Sequence, residues 1–534
     1  MIGHFLRIKW NAWPVRPVRI RCGQAEEKTP RRIRIAIRPE HHRGFARRVV
    51  RSRMLAPCSA HIAVITAALL VFTGCTVGPN YSRPTVASPT VWTEKTAPTN
   101  ALVMPTNWWT IFADVELDRL QSQAIAANQD LKLAVARVSE ARALTRISKA
   151  ELYPSVVAGG SYSRNRLSEN RANAPRHNLE YDDFSKQIDS SYELDVWGRV
   201  RRSVEAARAD EASVATELQV VLLTLTSDVA RNYYRLRSLD REKEVTQGTL
   251  ALRADAVRLQ ETRNQAGLIN EVDVTRARTE LANVEAELHS IARDRAQVEH
   301  ALAVLCGRAP AEFAVAAAPT ETLPPAIPAG LPSTLLERRP DIVEAEEQLH
   351  AACARIGVAK AAFFPTITLT SAGGLSSADL GSALNWQSRI WSLGPSVSFP
   401  IFEGGRNRAN LAATEARYEQ SVAAYRGAVL NAFREVEDAL SDLSTLVSQS
   451  AAVDRALASA RDTATLASER YDRGLSSYLD VVDAQRAVLQ AERSQAQLHG
   501  QRNVSTILLA KAVGGGWSRT PSTEQPVPTA NQAD

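Results

Sequence analysis

Any chemistry in this chain of 534 residues has to come from its five cysteines, nine histidines and its carboxylates, and their spacing excludes most reaction classes. No phosphate-binding loop, His-Glu-x-x-His pair, paired-cysteine motif or nucleophile elbow with its partners occurs. The histidines are scattered, with His41 and His42 together only inside an arginine-rich stretch. Cys306 and Cys353 stand in helical apolar patterns, AVLCG and AACARIG, and are expected as small buried residues instead of a disulfide or a metal pair. The expectation is a chain that is no enzyme, holds no cofactor or metal, and takes its energy from a partner. What does recur is a turn: Gly267 with Asp273 and Arg276, and Gly474 with Leu479, Asp480, Asp483 and Arg486.

Cys75 is different. It ends Phe72-Thr73-Gly74-Cys75, directly after the apolar run Ile62 to Phe72, which is too short to anchor a chain across a bilayer and reads as the core of a secretory signal. The motif resembles the lipobox of bacterial lipoproteins, with Phe72 in place of the usual Leu or Val. That implies a diacylglycerol on the Cys75 thiol and an N-palmitoyl group on its amine, with Cys22 and Cys58 removed. Thr76 stands where an Asp would hold a lipoprotein in the inner membrane, so outer-membrane sorting is expected. Residues 1–53 carry 15 Lys or Arg against 3 Asp or Glu, so the basic balance of the whole belongs to this extension. Clustered arginine can bind nucleic acid, but a signal begins near its basic segment, so translation is expected to start near Val50 or Met54 and no nucleic acid partner is expected.

The elements around the recurring turns are written plainly. Residues 176–309 and 401–520 contain no proline and are rich in Ala, Leu, Glu, Arg and Gln, the composition of long helices. From Arg199 to about Arg263 only Gly248 interrupts, and at about 1.5 Å per residue that helix would run on the order of 100 Å. Leu218, Val221, Leu222, Leu225 and Val229 form a stripe at helical spacing. Gly198-Arg199 recurs as Gly405-Arg406, and the Gly267 turn recurs at Gly474, each 207 residues later, while Pro154 and Pro365 differ by 211. Several motifs in register argue for two structural repeats.

Between helices each repeat holds two strand-like runs. Trp391, Leu393, Val397, Phe399 and Ile401 alternate with Ser392, Gly394, Ser396 and Ser398; Ile367 and Leu369 alternate with threonines; Tyr192, Leu194 and Val196 alternate with Ser191, Glu193 and Asp195. One greasy and one wet face suit a transmembrane barrel with a polar lumen, and also a soluble sandwich. The stretches RNRLSENRANAPRHNLEYDDFSK and SSADLGSALNWQ are expected as exposed loops. Four strands cannot close a barrel, and open edges in lipid leave backbone groups unsatisfied, so membrane strands here require oligomerisation.

With these residues in view, the chain resembles the outer membrane factor family, the TolC-like exit ducts of tripartite pumps, in its NodT-like lipoprotein branch. The resemblance rests on CTVGPNYSRP, YELDVWGRVRRSVEAARA, LPSTLLERRPDIVEAEEQLHAACARIGVAKAAFFP, RYDRGLSSYLDVVDAQR and VGGGW, spanning roughly residues 75 to 517. It implies a mixed membrane protein: a homotrimer whose twelve-stranded β-barrel, four strands per chain, continues into a long α-helical periplasmic barrel with a small equatorial region. It implies a passive duct for drugs or other small solutes in the cell outer membrane, working with a periplasmic adaptor (membrane fusion protein) and an inner-membrane resistance-nodulation-division pump. It also implies a periplasmic gate at the helix tips, formed by Leu479, Asp480, Asp483, Arg486, Asp273 and Arg276 beside the turn glycines Gly267 and Gly474. A ring of carboxylates in a narrow pore selects cations and can lock by pairing with arginine, and Arg276 with Asp483 is the expected lock. Substituting Asp483 with Ala should then raise conductance.

The expected organisation is a basic extension at 1–53, a lipoprotein signal at 54–74, an anchor and equatorial segment at 75–114, repeat 1 at 115–309, a Pro-rich linker at 310–335, repeat 2 at 336–513 and a disordered tail at 514–534. Two other readings share features of this pattern. An exit duct for type I protein secretion would use the same fold, and a non-channel trimeric lipoprotein scaffold would show long heptads without alternating strands.

Overall fold

The computed structural model describes residues 76–94, 104–170, 180–319, 324–327, 329–330, 332 and 335–519. The basic extension, the signal and Cys75 lie outside the described residues, as does the tail from Thr520.

Helices α1 (Val115–Ala127) and α2 (Gln129–Ala150) lead into strand β1 (Ser155–Arg166) and its hairpin partner β2 (Glu180–Leu194). Helix α3 (Arg199–Gln265) then runs 67 residues without a break, through Gly248, and α4 (Glu271–Leu305) returns for 35. The second half repeats this: α5 (Pro340–Ala361), β3 (Thr366–Ser377), β4 (Arg389–Ser398), α6 (Arg406–Asp472) and α7 (Tyr478–Ala512). Helices α6 and α7 have 67 and 35 residues, matching α3 and α4. A duplicated length means duplicated reach, since each residue adds about 1.5 Å. Among the described residues, no helix is long and apolar enough to cross a membrane.

The four strands form one antiparallel sheet in the order β1-β2-β3-β4, so β2 and β3 join the repeats and β1 and β4 are left as open edges. The register separates two faces. Val156, Ala158, Ile188, Tyr192, Leu194, Ile367, Leu369, Trp391, Leu393 and Val397 share one; Ser161, Ser163, Asp183, Gln187, Asp189, Thr368, Thr370, Ser392 and Ser396 share the other.

The strands reach further than their polarity suggested. The stretch RNRLSENRANAPRHNLEYDDFSK was expected as a loop, yet Arg164–Arg166 belong to β1 and Glu180–Lys186 to β2. Cross-strand partners allow it: Arg164 and Arg166 reach Glu180 at 3.3 and 3.4 Å, and the Tyr162 hydroxyl donates to Asp182 at 3.1 Å. In the opposite sense, Phe399, Ile401 and Phe402 lie beyond β4, which ends at Ser398.

Two cores hold the middle of the molecule. One joins Trp108, Leu117, Leu120, Leu236, Leu302 and Cys306; the other joins Trp92, Leu335, Ile342, Leu349, Val429 and Leu509. Cys306 and Cys353 are buried thiols outside any disulfide, and burial pushes the Cys306 thiol up to about 11, where it is a small hydrophobe. The expectation of a disordered tail from residue 514 fails for its first residues. The backbone N–H of Arg519 donates to the Glu337 carbonyl at 3.3 Å, and its guanidinium reaches Glu346 at 3.1 Å and Glu347 at 2.6 Å. Those carboxylates give the segment 514–519 fixed partners that composition does not reveal.

Candidate gate at the helix tips

At the end of α3 furthest from the sheet the chain must reverse within five residues, and glycine makes that possible. Gly267 and Gly474 sit at φ +70° and +72°, the left-handed region where a side chain is strained. Each closes its helix with two backbone bonds: Gly267 N–H to Asn264 and Leu268 N–H to Arg263 at 2.8 and 2.9 Å, then Gly474 N–H to Tyr471 and Leu475 N–H to Arg470 at 2.9 and 2.8 Å. The next helix opens at once on a side-chain cap, with Asn270 accepting from the Val272 N–H in α4 and Ser477 forming a capping box with Asp480 in α7. The spacing of each glycine to its aspartate is therefore a turn grammar. Asp273 and Asp480 both occupy the third position of a helix, where a carboxylate also meets the positive helix end.

Packing beneath the turns is apolar. Tyr478, Val481 and Val482 of α7 bury against Val257 of α3 and Ala277 of α4. Around this small core the helices are tied by polar bonds. The Tyr471 hydroxyl donates to Gln260 at 3.1 Å, while Arg263 lies over the Tyr471 ring and reaches Asp472 at 3.4 Å. Buried Arg253 donates to Gln485 at 2.7 Å, and burial pushes its pKa down.

The charges expected at a gate are present, with altered partners. Asp480 spends one oxygen on the Ser477 N–H, at 3.0 Å. Leu479 and Asp483 are exposed on α7. Arg276 lies 3.6 Å from Asp273, and within the protomer the expected Arg276 to Asp483 pair does not form. Arg486 takes that place instead. Its Nε donates to Glu280 of α4 at 2.9 Å, its Nη2 bonds the other oxygen of the same carboxylate, and its Nη1 reaches Asp483 at 3.1 Å. The bidentate bond to Arg486 holds the Glu280 carboxyl below the usual carboxylate range, against a smaller opposing effect of burial. A groove of about 520 Å³ runs between α4 and α7 beside this pair, lined by Thr275, Thr279, Glu280, Leu479 and Val482.

Glu280, Arg253, Gln485 and Tyr471 were not among the residues singled out from sequence. A signal existed for the tyrosines. Tyr471 and Tyr478 stand 207 residues after Asn264 and Glu271, so both aromatics break the symmetry of otherwise duplicated turns.

No group of His, Cys, Asp and Glu among the described residues could hold a metal ion. The arrangement can pair, repel and move charges.

Comparison with known proteins agrees with a duct. The model of the outer membrane efflux protein family matches residues 120–308 and 331–515, one match in each half. Cation efflux system protein CusC of Escherichia coli O6:H1 is 34% identical over 458 residues, covering 84% of this chain and 97% of that protein. The probable outer membrane lipoprotein SilC of Salmonella typhimurium is 33% identical, covering 84% and 97%. Among solved structures, the outer-membrane channel OprN superimposes with a TM-score of 0.79 at 30% identity, covering 83% of this chain and all of that one.

Proposed function

This chain belongs to the outer membrane efflux protein family and is the outer-membrane component of an efflux system; from that premise we propose that three copies close one passive duct with a gate at its periplasmic helix tips. The observation that carries the reading is the sheet. It has one apolar face, one polar face and two unpaired edges, and it opens directly into helices of matched length. Edges left open in lipid cost several kcal/mol per unsatisfied group, and pairing β1 of one copy with β4 of the next removes both. Three copies give a twelve-stranded barrel with Asp183, Gln187 and Asp189 toward water. The helices below continue it into the periplasm, where an adaptor joins the duct to an inner-membrane pump that supplies the energy.

The two repeats, 115–309 and 336–513, supply alternate walls, and the linker 310–335 forms part of the equator. Cys75, freed by removal of residues 54–74, carries the diacylglycerol and palmitoyl groups that hold each copy to the membrane. A relative bearing the name of outer membrane lipoprotein supports that assignment.

At the tips, Asp480 and Asp483 of three copies line the entrance, and the lock is Glu280 with Arg486. The pair ties α4 to α7, the two helices that must separate for the tip to widen. Opening exchanges this ion pair for hydrated charges: Arg486 is already half exposed, and the buried Glu280 carboxylate must gain its water as the helices part. In planar bilayers the wild-type trimer should give small, cation-preferring currents, and Glu280→Gln or Arg486→Ala should enlarge them severalfold. Wild-type protein without a channel would end the duct reading; a channel with currents unchanged in both variants would remove this pair from the gate.

A further inference from the structure

One rung of the sheet carries charges that the duct does not use. Gly160, Lys186, Leu375 and Arg389 stand opposite one another across all four strands, on the apolar face. Between this rung and the helices that face holds no charged residue: the next rung is Ala158, Ile188, Gly373 and Trp391, and the one after it is Val156, Ser190, Ser371 and Leu393. Beyond the rung, toward the hairpin tips, the acidic and basic side chains satisfy each other, Arg164 and Arg166 with Glu180. Lys186 and Arg389 do not. Both are exposed, and neither makes an ion pair among the described residues. Arg389 lies over the Trp386 ring at 4.8 Å and donates to its carbonyl at 2.9 Å, leaving further donors open. The Lys186 stem passes over Gly160, where an added Cβ would meet its Cγ at 3.9 Å.

The level of the rung identifies what it meets. Lys186 stands eight residues from Leu194 at the helix end of β2, about 20 Å along the barrel axis for strands rising roughly 3.3 Å per residue with a tilt near 40°. An apolar barrel band is about 25 Å tall, so these cations stand at its outer edge, where lipid head groups begin. Their backbones are two strand spacings apart, about 10 Å, with the shorter Leu375 between them. Two long side chains at that distance can converge over the leucine on one anion.

We propose that Lys186 and Arg389 form a binding site for the phosphate of a phosphorylated lipid in the outer leaflet, one site per protomer. The inference rests on the barrel reading above. Acyl chains lie against Trp391, Leu393 and Val397 while the two cations, snorkelling upward, hold the phosphate. A lipid supplies both halves of that surface; a free anion would leave the apolar half in contact with water.

The test uses intact trimer extracted from outer membranes in mild detergent, with bound phosphorylated lipid counted by native mass spectrometry. The wild type should retain lipid in units of one per chain, and the Lys186→Gln, Arg389→Gln double variant should retain it on the order of thirtyfold less firmly. Lys186→Arg with Arg389→Lys should restore retention, since only charge is required. Arg434→Gln, which removes an exposed cation of α6 paired with Asp438, should leave it unchanged. Equal lipid on wild type and the glutamine variant overturns the site, as does stripping of the lipid by excess inorganic phosphate alone. A glutamine variant that falls apart into monomers while retaining lipid would assign Arg389 to the subunit contact and also overturns it. Conductance measured on the same samples separates the two readings: a wild type that binds lipid but passes no current loses the duct and keeps the site.

Discussion

Glu280 and Arg486 form an ion pair whose sign of pH dependence follows from its geometry. The Arg486 hydrogen bonds depress the Glu280 pKa, so the pair's contribution is present above the ordinary carboxylate value and is lost as pH falls through the depressed one. Conductance should therefore stay level from neutral pH down to the usual carboxylate range and rise only below it. Glu280→Gln should show the larger conductance already at neutral pH and meet the wild type at low pH, and a parallel acid-induced rise in that variant would assign the pH effect elsewhere. Glu344 on α5 behaves in the opposite way. Burial, with Glu217 and Asp341 nearby, pushes its carboxyl up to about 7, so its protonated form favours the folded chain. That contribution is full below the unfolded carboxylate value and is lost as pH rises through 7. The thermal midpoint of the wild type should fall across that window, and Glu344→Gln should flatten the fall. Neither pair could be read from one sequence. Periodicity places Glu280 and Arg486 on helix faces, but they are 206 residues apart, and only packing decides which faces meet.

The tip turns are the element on which the proposed gate depends, and their local turn chemistry was largely legible. Gly267 and Gly474 lie six residues before Asp273 and Asp480 because a left-handed helix end must be followed at once by a capped helix start. Gly474→Ala should cost about 1 kcal/mol locally through the strained positive φ, and Asp480→Ala about as much through the lost capping box. Hydrogen exchange at residues 470–482 reads both as faster local opening, and unchanged protection in Asp480→Ala would mean that its carboxylate serves only the pore. Helix lengths were equally legible, since freedom from proline over more than a hundred residues leaves few alternatives. Strand ends were not. Arg164, Glu180 and Asp182 look like loop residues one by one, and they become strand residues only because each finds its partner across the hairpin.

At the scale of the whole molecule, one chain leaves its sheet with two unpaired edges. The sheet ends on β1 and β4, and the first core, which adds Ile507 and Ala510 of the second repeat to residues of the first, ties the repeats together without covering either edge. Native mass spectrometry should find a mass three times that of the mature chain, and a protomer kept apart by dilution in detergent should aggregate through those edges. A stable, soluble monomer would contradict the shared barrel. The duplicated helices carry a further consequence. Both outbound helices have 67 residues and both returning ones 35, so each repeat measures the same depth from the sheet to its tip. The chain is in effect a ruler with two identical scales. Seven residues inserted into one outbound and one returning helix of a single repeat would lower its tips by about 10 Å and turn a level rim into a stepped one. Only matched insertions in both repeats would leave the rim level, so changes in the span such a duct can bridge have to arrive in pairs.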